Sequence, residues 1–443
     1  MNQALIVFTQ FDGVDVEVGT AHFTRRRNAL STTFRYTPQY LAHRGAYPVD
    51  PSFGLYAGAH QSTGLPPAFS DCAPDRWGRN LIIKKAQAVS AREGVPLPTM
   101  SDVDFLVGVS DLTRQGALRF QSLGGGQFLD PGPTVPKLVE LPRLMRAAES
   151  VAHDGGDMAA IKELLDAGSA SLGGARPKAS VRDGDQLFIA KFAHPGDEWD
   201  VMAWEKTALE LAQRAGIETL VSTLLRVEGR SVLLLERFDR RGARRVPYIS
   251  AMTLLGAHDG DARDYTELAE TVPEHGSRVS KDLRELWRRI AFSVAVHNTD
   301  DHLRNHGFLR RTSAGWDLSP VFDVNPNPDA SQERVTGIGG ARSRGDELSA
   351  LLAYADVFDL THRDAKTVLA QVEDATRGWR AVAASHGINR SEISRFEAAF
   401  EGARQTMRAA TGTRATARSE DATRSQPRVP GGHDGGGQFT SRS

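Results

Sequence analysis

Three oxygen-bearing side chains in the second half of the chain are spaced for phosphoryl transfer. Asp300 and Asn305 stand five apart within His297-Asn298-Thr299-Asp300-Asp301-His302-Leu303-Arg304-Asn305-His306, and Asp323 follows 18 residues beyond Asn305. Moving a phosphoryl group asks little covalent help of a protein. It needs a carboxylate to accept or position the acceptor hydroxyl, and oxygen ligands for Mg²⁺ that leave room for phosphates and water. The D-x-x-x-x-N spacing is that of a protein-kinase catalytic aspartate and its metal-binding asparagine, with a second metal-binding aspartate placed after a hairpin. Upstream, Lys191 sits between apolar neighbours in Ile189-Ala190-Lys191-Phe192, on a strand expected to be half buried. A lysine there requires an anionic partner. Glu205 on the next helix is one candidate, and a lysine snorkelling at a strand edge is the plainer alternative.

Other chemistries use the same residues. His297, His302 and His306 with Asp300 and Asp301 could form the transition-metal site of a phosphohydrolase, but H-E-x-x-H is absent and Lys191 would have no role. A P-loop is disfavoured, because G-x-x-x-x-G-K-[ST] does not occur around Gly173-Gly174-Ala175. For any single residue of the cluster, a solvated loop with capping Asp and Asn is the bland reading.

The flanking elements must hold these groups in place. Leu283, Leu286, Trp287, Ile290 and Val294 recur at the spacing of a buried helix face leading into the polar cluster. Phe308-Leu309 and Trp316-Asp317-Leu318 around Thr312-Ser313-Ala314-Gly315 read as a hairpin leaving it. Further upstream, a loop over 168–178 precedes two strands, 179–182 and 187–192, joined through Asp183-Gly184. An amphipathic helix over 199–215 and strands at 220–227 and 232–235 follow, then Glu236-Arg237-Phe238-Asp239-Arg240. A Gly-rich loop, a hairpin bearing a lysine, a helix, more strands and a helical lobe with a polar loop make the layout of protein kinases.

Residues 1–125 read as a β-rich N-terminal accessory domain, with strands at 4–8, 16–24 and 32–36, an irregular stretch over 44–68 and a helix after Asp75-Arg76-Trp77-Gly78-Arg79. Gly124-Gly125-Gly126 and Asp130-Pro131-Gly132-Pro133 mark the boundary. The expected parts beyond it are a nucleotide-binding lobe over 136–247, a helical catalytic lobe over 248–408 and a disordered tail over 409–443, poor in apolar residues. The fold class is α+β, a two-lobed kinase-like fold with the accessory domain in front. The formal net charge of −1 gives no argument for nucleic acid or an acidic membrane surface. One cysteine, Cys72, fits a reducing compartment, and no apolar run is long enough to span a bilayer. A cytoplasmic protein without membrane contact is expected.

The chain resembles the HipA family, the kinase toxins of type II toxin–antitoxin modules. The resemblance rests on Ser171-Leu172-Gly173-Gly174-Ala175-Arg176-Pro177-Lys178, Ile189-Ala190-Lys191, Leu235-Glu236-Arg237-Phe238-Asp239-Arg240, Asn298 to Asn305, and Pro320-Val321-Phe322-Asp323. It implies an ATP-dependent serine/threonine kinase, with Asp300 as catalytic base and Asn305 and Asp323 holding Mg²⁺. It also implies ATP binding by Gly173, Gly174, Ala175, Arg176, Pro177, Lys178 and Lys191, with Glu236, Arg237 and Phe238 as the adenine hinge. His302, Leu303, Arg304 and Phe322 complete the implied nucleotide site, and Ser171 sits at the family's autophosphorylation position, with Ser169 a nearby competitor. The implied partners are a protein substrate in translation, an aminoacyl-tRNA synthetase, and a DNA-binding antitoxin through which any contact with DNA is indirect. The rival is a catalytically degenerate kinase fold that serves as a co-repressor with that antitoxin.

Overall fold

The computed structural model describes residues 2–26, 29–130, 135–153, 157–169 and 176–412. The chain opens with three long antiparallel strands, β1 (Asn2–Phe11), β2 (Val14–Arg26) and β3 (Ala29–Tyr36). The β1–β2 turn is Asp12-Gly13, both at positive φ, as a tight hairpin requires. With β4 (His60–Thr63) and β5 (Arg119–Ser122) they form one sheet in the order β4-β3-β2-β1-β5. The edge strand β4 lies inside the stretch expected to be irregular. Its four residues pair with Ser31 to Phe34, a tertiary contact that overrides the Pro- and Gly-rich surroundings. The helix Arg76–Glu93 starts at Asp75, whose carboxylate accepts the Gly78 N–H at 2.7 Å, and ends at Gly94 with φ +66°.

The next sheet carries the lysine. Strands β6 (Lys178–Asp183), β7 (Gln186–Phe192), β8 (Ser222–Val227) and β9 (Arg230–Glu236) are all antiparallel, in the order β6-β7-β9-β8. Ala179, Val181, Ala190, Phe192 and Val232 cover one face and pack on the helices Leu141–His153 and Met158–Asp166. The opposite face of β7 presents Lys191 toward the helix Val201–Arg214.

After the small pair β10 (Arg240–Arg241) and β11 (Arg244–Arg245), strands β12 (Tyr248–Ser250), β13 (Gly307–Thr312) and β14 (Gly315–Leu318) make a three-stranded sheet. The helix Val279–Ala295 delivers the chain to the polar cluster and buries Leu283, Leu286, Trp287, Ile290 and Val294, the face its spacing marks out. One apolar cluster runs from Val7, Phe34 and Phe120 through Trp204 to Trp287 and Phe400. The expected start of the tail at 409 falls inside the helix Glu397–Thr411, whose Met407 is buried. Residues 413–443 lie outside the described residues. Among the described residues no helix is long and apolar enough to cross a membrane.

Candidate active site

Lys191 does have its anions. Its Nζ lies 2.7 and 2.9 Å from the two carboxylate oxygens of Glu205 and 2.7 Å from Asp323 Oδ1. Burial works against the ammonium, but Asp323 and Glu205 outweigh it and hold Lys191 above its ordinary range. Burial likewise opposes ionisation of Asp323, and Lys191 overcomes it, keeping that carboxyl well below the usual carboxylate range. Glu205, 1% exposed, is raised by burial, with Lys191 acting in opposition. Asp323 takes φ +58°, which Asp tolerates better than most side chains.

In the polar cluster, anchored residues flank one exposed carboxylate. His297 leaves the helix at φ +53°, and its Nε2 lies 2.9 Å from the Asp329 carbonyl. The Thr299 carbonyl accepts the Val335 N–H at 2.9 Å, and its hydroxyl oxygen accepts the Asn327 amide at 2.9 Å. Asp301 is buried, accepts the Tyr265 hydroxyl at 2.6 Å and faces His306 Nε2 at 3.1 Å. Burial opposes its charge, yet His306 and Tyr265 hold the carboxyl far below its ordinary range. Asp300, between these fixed residues, is exposed. Its carboxyl is raised, first by desolvation and then by Asp323 and Asp301, with His302 opposing. A carboxylate raised in this way is a better proton acceptor than a free one at neutral pH.

Asn305 closes the turn Leu303–Asn305, is buried, and donates its Nδ2 to the Asp300 carbonyl at 3.3 Å. That leaves its amide oxygen as the end to offer a cation. Asn325, which sequence reasoning passed over, donates to Asp323 Oδ1 at 3.2 Å, and its own Oδ1 is buried without a partner among the described residues. Its only signal in the sequence is its place two residues after Asp323. An ionised carboxylate and amide oxygens are the donor chemistry of Mg²⁺, so the residues present fit that ion. The transition-metal alternative fares worse. His297 and His306 are committed to structural hydrogen bonds, and no group of three or more His, Cys, Asp or Glu able to hold a metal occurs among the described residues.

The remaining candidates divide. The rings of Phe238 and Phe322 lie 5.4 Å apart, with Tyr248 at 6.0 Å from Phe238. Glu236 is half-buried, and its N–H bonds the Val221 carbonyl at 2.9 Å. The Arg237 side chain is turned to the N-terminal sheet region, donating to the Thr113 carbonyl at 2.5 Å and to Asp239 at 2.6 and 2.8 Å. Leu303 is a core residue, and Arg304 pairs with Asp259 at 3.0 Å. His302 begins the turn, with its Nδ1 buried and unpartnered among the described residues. Arg176 pairs with Asp197, Pro177 accepts the Phe192 N–H at 2.9 Å, and Lys178 pairs with Asp75 at 2.6 Å. Ser169 is fully buried and donates to the Lys178 carbonyl. Ser171, Gly173, Gly174 and Ala175 lie outside the described residues.

Residues 170–379 match the HipA-like C-terminal domain and residues 14–108 the HipA N-terminal domain. A chain of the Shewanella oneidensis MR-1 toxin–antitoxin complex of HipA, HipB and operator DNA superposes with a TM-score of 0.61 at 16% identity, covering 92% of this chain and 96% of that one. The Helicobacter pylori proinflammatory kinase CtkA aligns with a TM-score of 0.43 at 15% identity, over 56% of this chain and 95% of that one. A candidate kinase of Haemophilus influenzae is 30% identical over 78 residues, a stretch that spans 17% of this chain and 23% of that protein. With both of its domains matched and the fold shared over nearly its whole length, the chain belongs to the HipA family.

Proposed function

We propose that this protein is an ATP-dependent serine/threonine protein kinase acting as a HipA-type toxin. The carrying observation is the Glu205–Lys191–Asp323 triad at 2.7 Å contacts, with an exposed and raised Asp300 in the same site. Asp300 takes the proton from the acceptor hydroxyl as its oxygen attacks the γ-phosphorus of ATP, and ADP leaves with the electrons of the broken P–O bond. Asn305 and Asp323 would hold Mg²⁺, which neutralises charge on the phosphates. Lys191, Arg176, Pro177 and Lys178, with Gly173 to Ala175, bind the phosphates; Glu236 to Phe238 and Phe322 border the base, and His302 to Arg304 support the loop beneath. The acceptor is a protein of translation, an aminoacyl-tRNA synthetase, and a DNA-binding antitoxin restrains the toxin in the cytoplasm. The support is the family membership and a fold shared with a chain of a HipA, HipB and operator DNA complex. Phosphoproteomes of cells expressing the parent and the Asp300→Asn form test it. Serine or threonine sites found only with the parent are expected, and identical phosphoproteomes would defeat the reading.

A further inference from the structure

The first residue of β6 and the sixth of β7 are both lysines, and they are direct cross-strand partners, Lys178 opposite Lys191. Two ammonium groups side by side repel, so each needs a counter-charge of its own. Lys191 uses Glu205 and Asp323. Lys178, whose side chain is 1% exposed, is met by a carboxylate from another part of the chain: Asp75 Oδ2, 2.6 Å from Nζ and 103 residues upstream. Asp75 is itself fixed, because its other oxygen caps the helix Arg76–Glu93 at the Gly78 N–H. Four residues earlier, Asp71 accepts the Ser250 N–H and hydroxyl at 2.7 and 2.8 Å and faces Arg304 at 3.5 Å. The segment 71–75 therefore touches the lysine-bearing sheet at one end and, at the other, Arg304 of the loop that carries Asp300.

We infer that Asp75 of the N-terminal domain is a positioning residue of the nucleotide site, fixing a charged Lys178 beside Lys191 so that two adjacent ammonium groups face the phosphates. The inference rests on the nucleotide reading above. Burial pulls the Lys178 ammonium down, Asp75 opposes this by charge and by hydrogen bond, Lys191 adds repulsion, and Asp323 also favours the charged form. Without the Asp75 carboxylate, the Lys178 ammonium loses the partner that fixes it beside Lys191, so it shifts from that position or gives up its proton.

Calorimetry of the full chain with Mg-ATP tests this, using Asp75→Asn, Asp75→Glu, Lys178→Met and the Asn/Met double variant. Asn caps a helix as well as Asp does, so the melting temperature reports whether the helix start survives. The expected result is an ATP dissociation constant raised roughly tenfold in Asp75→Asn, partly restored in Asp75→Glu, and no further loss when Asp75→Asn is added to Lys178→Met. If Asp75→Asn does not fold, Asp75→Glu, which keeps the carboxylate but moves it by one methylene, must still bind ATP more weakly than the parent, and parent affinity in Asp75→Glu overturns the inference. A parent that binds ATP while Asp75→Asn binds it equally or more tightly overturns the inference alone. A parent that binds no Mg-ATP overturns the nucleotide reading and this inference together.

Discussion

Asp301 and Asp300 are consecutive carboxylates with opposite surroundings: Asp301 is buried against Tyr265 and His306, and Asp300 is exposed. One holds the loop and the other is free to react. Mutation should separate the two roles. Asp300→Asn is expected to change unfolding free energy by less than about 0.5 kcal/mol while reducing phosphoryl transfer by roughly 10²- to 10⁴-fold. Asp301→Asn should lose about 2–4 kcal/mol, since it leaves buried donors mismatched. Urea unfolding and a phosphorylation assay on both variants check this; equal stability losses would contradict it.

The carboxyl of Asp301 is depressed in the folded protein, and so is that of Asp323. Groups of this kind contribute stability above the carboxylate range of the unfolded chain and lose it as pH falls through their folded values. Stability should therefore be nearly flat from neutral pH down to about 5 with respect to these two groups, then fall steeply below about pH 4. In Asp301→Asn the acid slope should be shallower than in the parent, measured by denaturant midpoints across pH.

Lys191→Met removes the cation shared by Glu205 and Asp323. Two carboxylates would then face each other without compensation, at a cost of roughly 3–5 kcal/mol. Glu205→Gln added to Lys191→Met should recover part of that loss, because it removes a buried charge. A double-mutant cycle by chemical denaturation gives the coupling, and simple additivity would show that the pair does not act as a unit.

Binding of ATP should depend on Mg²⁺, and Asp323→Ala should weaken it and abolish the Mg²⁺ dependence. Titration calorimetry with and without the ion decides this. An unchanged profile in Asp323→Ala would remove Asp323 from the metal site.

Incubation with Mg-ATP should place one phosphate on Ser171 in the parent and none in Asp300→Asn. The added charge, about −1.5 to −2 near neutral pH, should then weaken ATP binding. Peptide mass spectrometry locates the phosphate. Full phosphorylation with unchanged nucleotide affinity would make the modification incidental.

Much of the site was legible because its signals are local. The apolar period before His297, the turn at Thr312 to Gly315 and the five-residue Asp300–Asn305 interval are all carried by neighbours in sequence. The partner of Lys191 was legible for a related reason, since Glu205 lies on the very next helix. Asp75, Asp71 and the true destination of the Arg237 side chain were not, because they meet partners more than 100 residues away and no periodicity encodes such a contact. The short β4 escaped because its pairing with β3, and not its composition, makes it a strand.

Asp239, held in its ionised form by Arg237 and Arg240 against the effect of burial, accepts the Gly116 N–H at 2.7 Å, while Arg240 donates to the Arg114 carbonyl at 2.6 Å. Those partners are separated by 123 and 126 residues. During synthesis at about 5–20 residues per second, the Arg114–Gly116 backbone emerges roughly 6–25 s before the side chains that complete it. For that interval the Arg114–Gly116 backbone is an open seam on the nascent chain, and it can close only once residues 237–240 have left the ribosome.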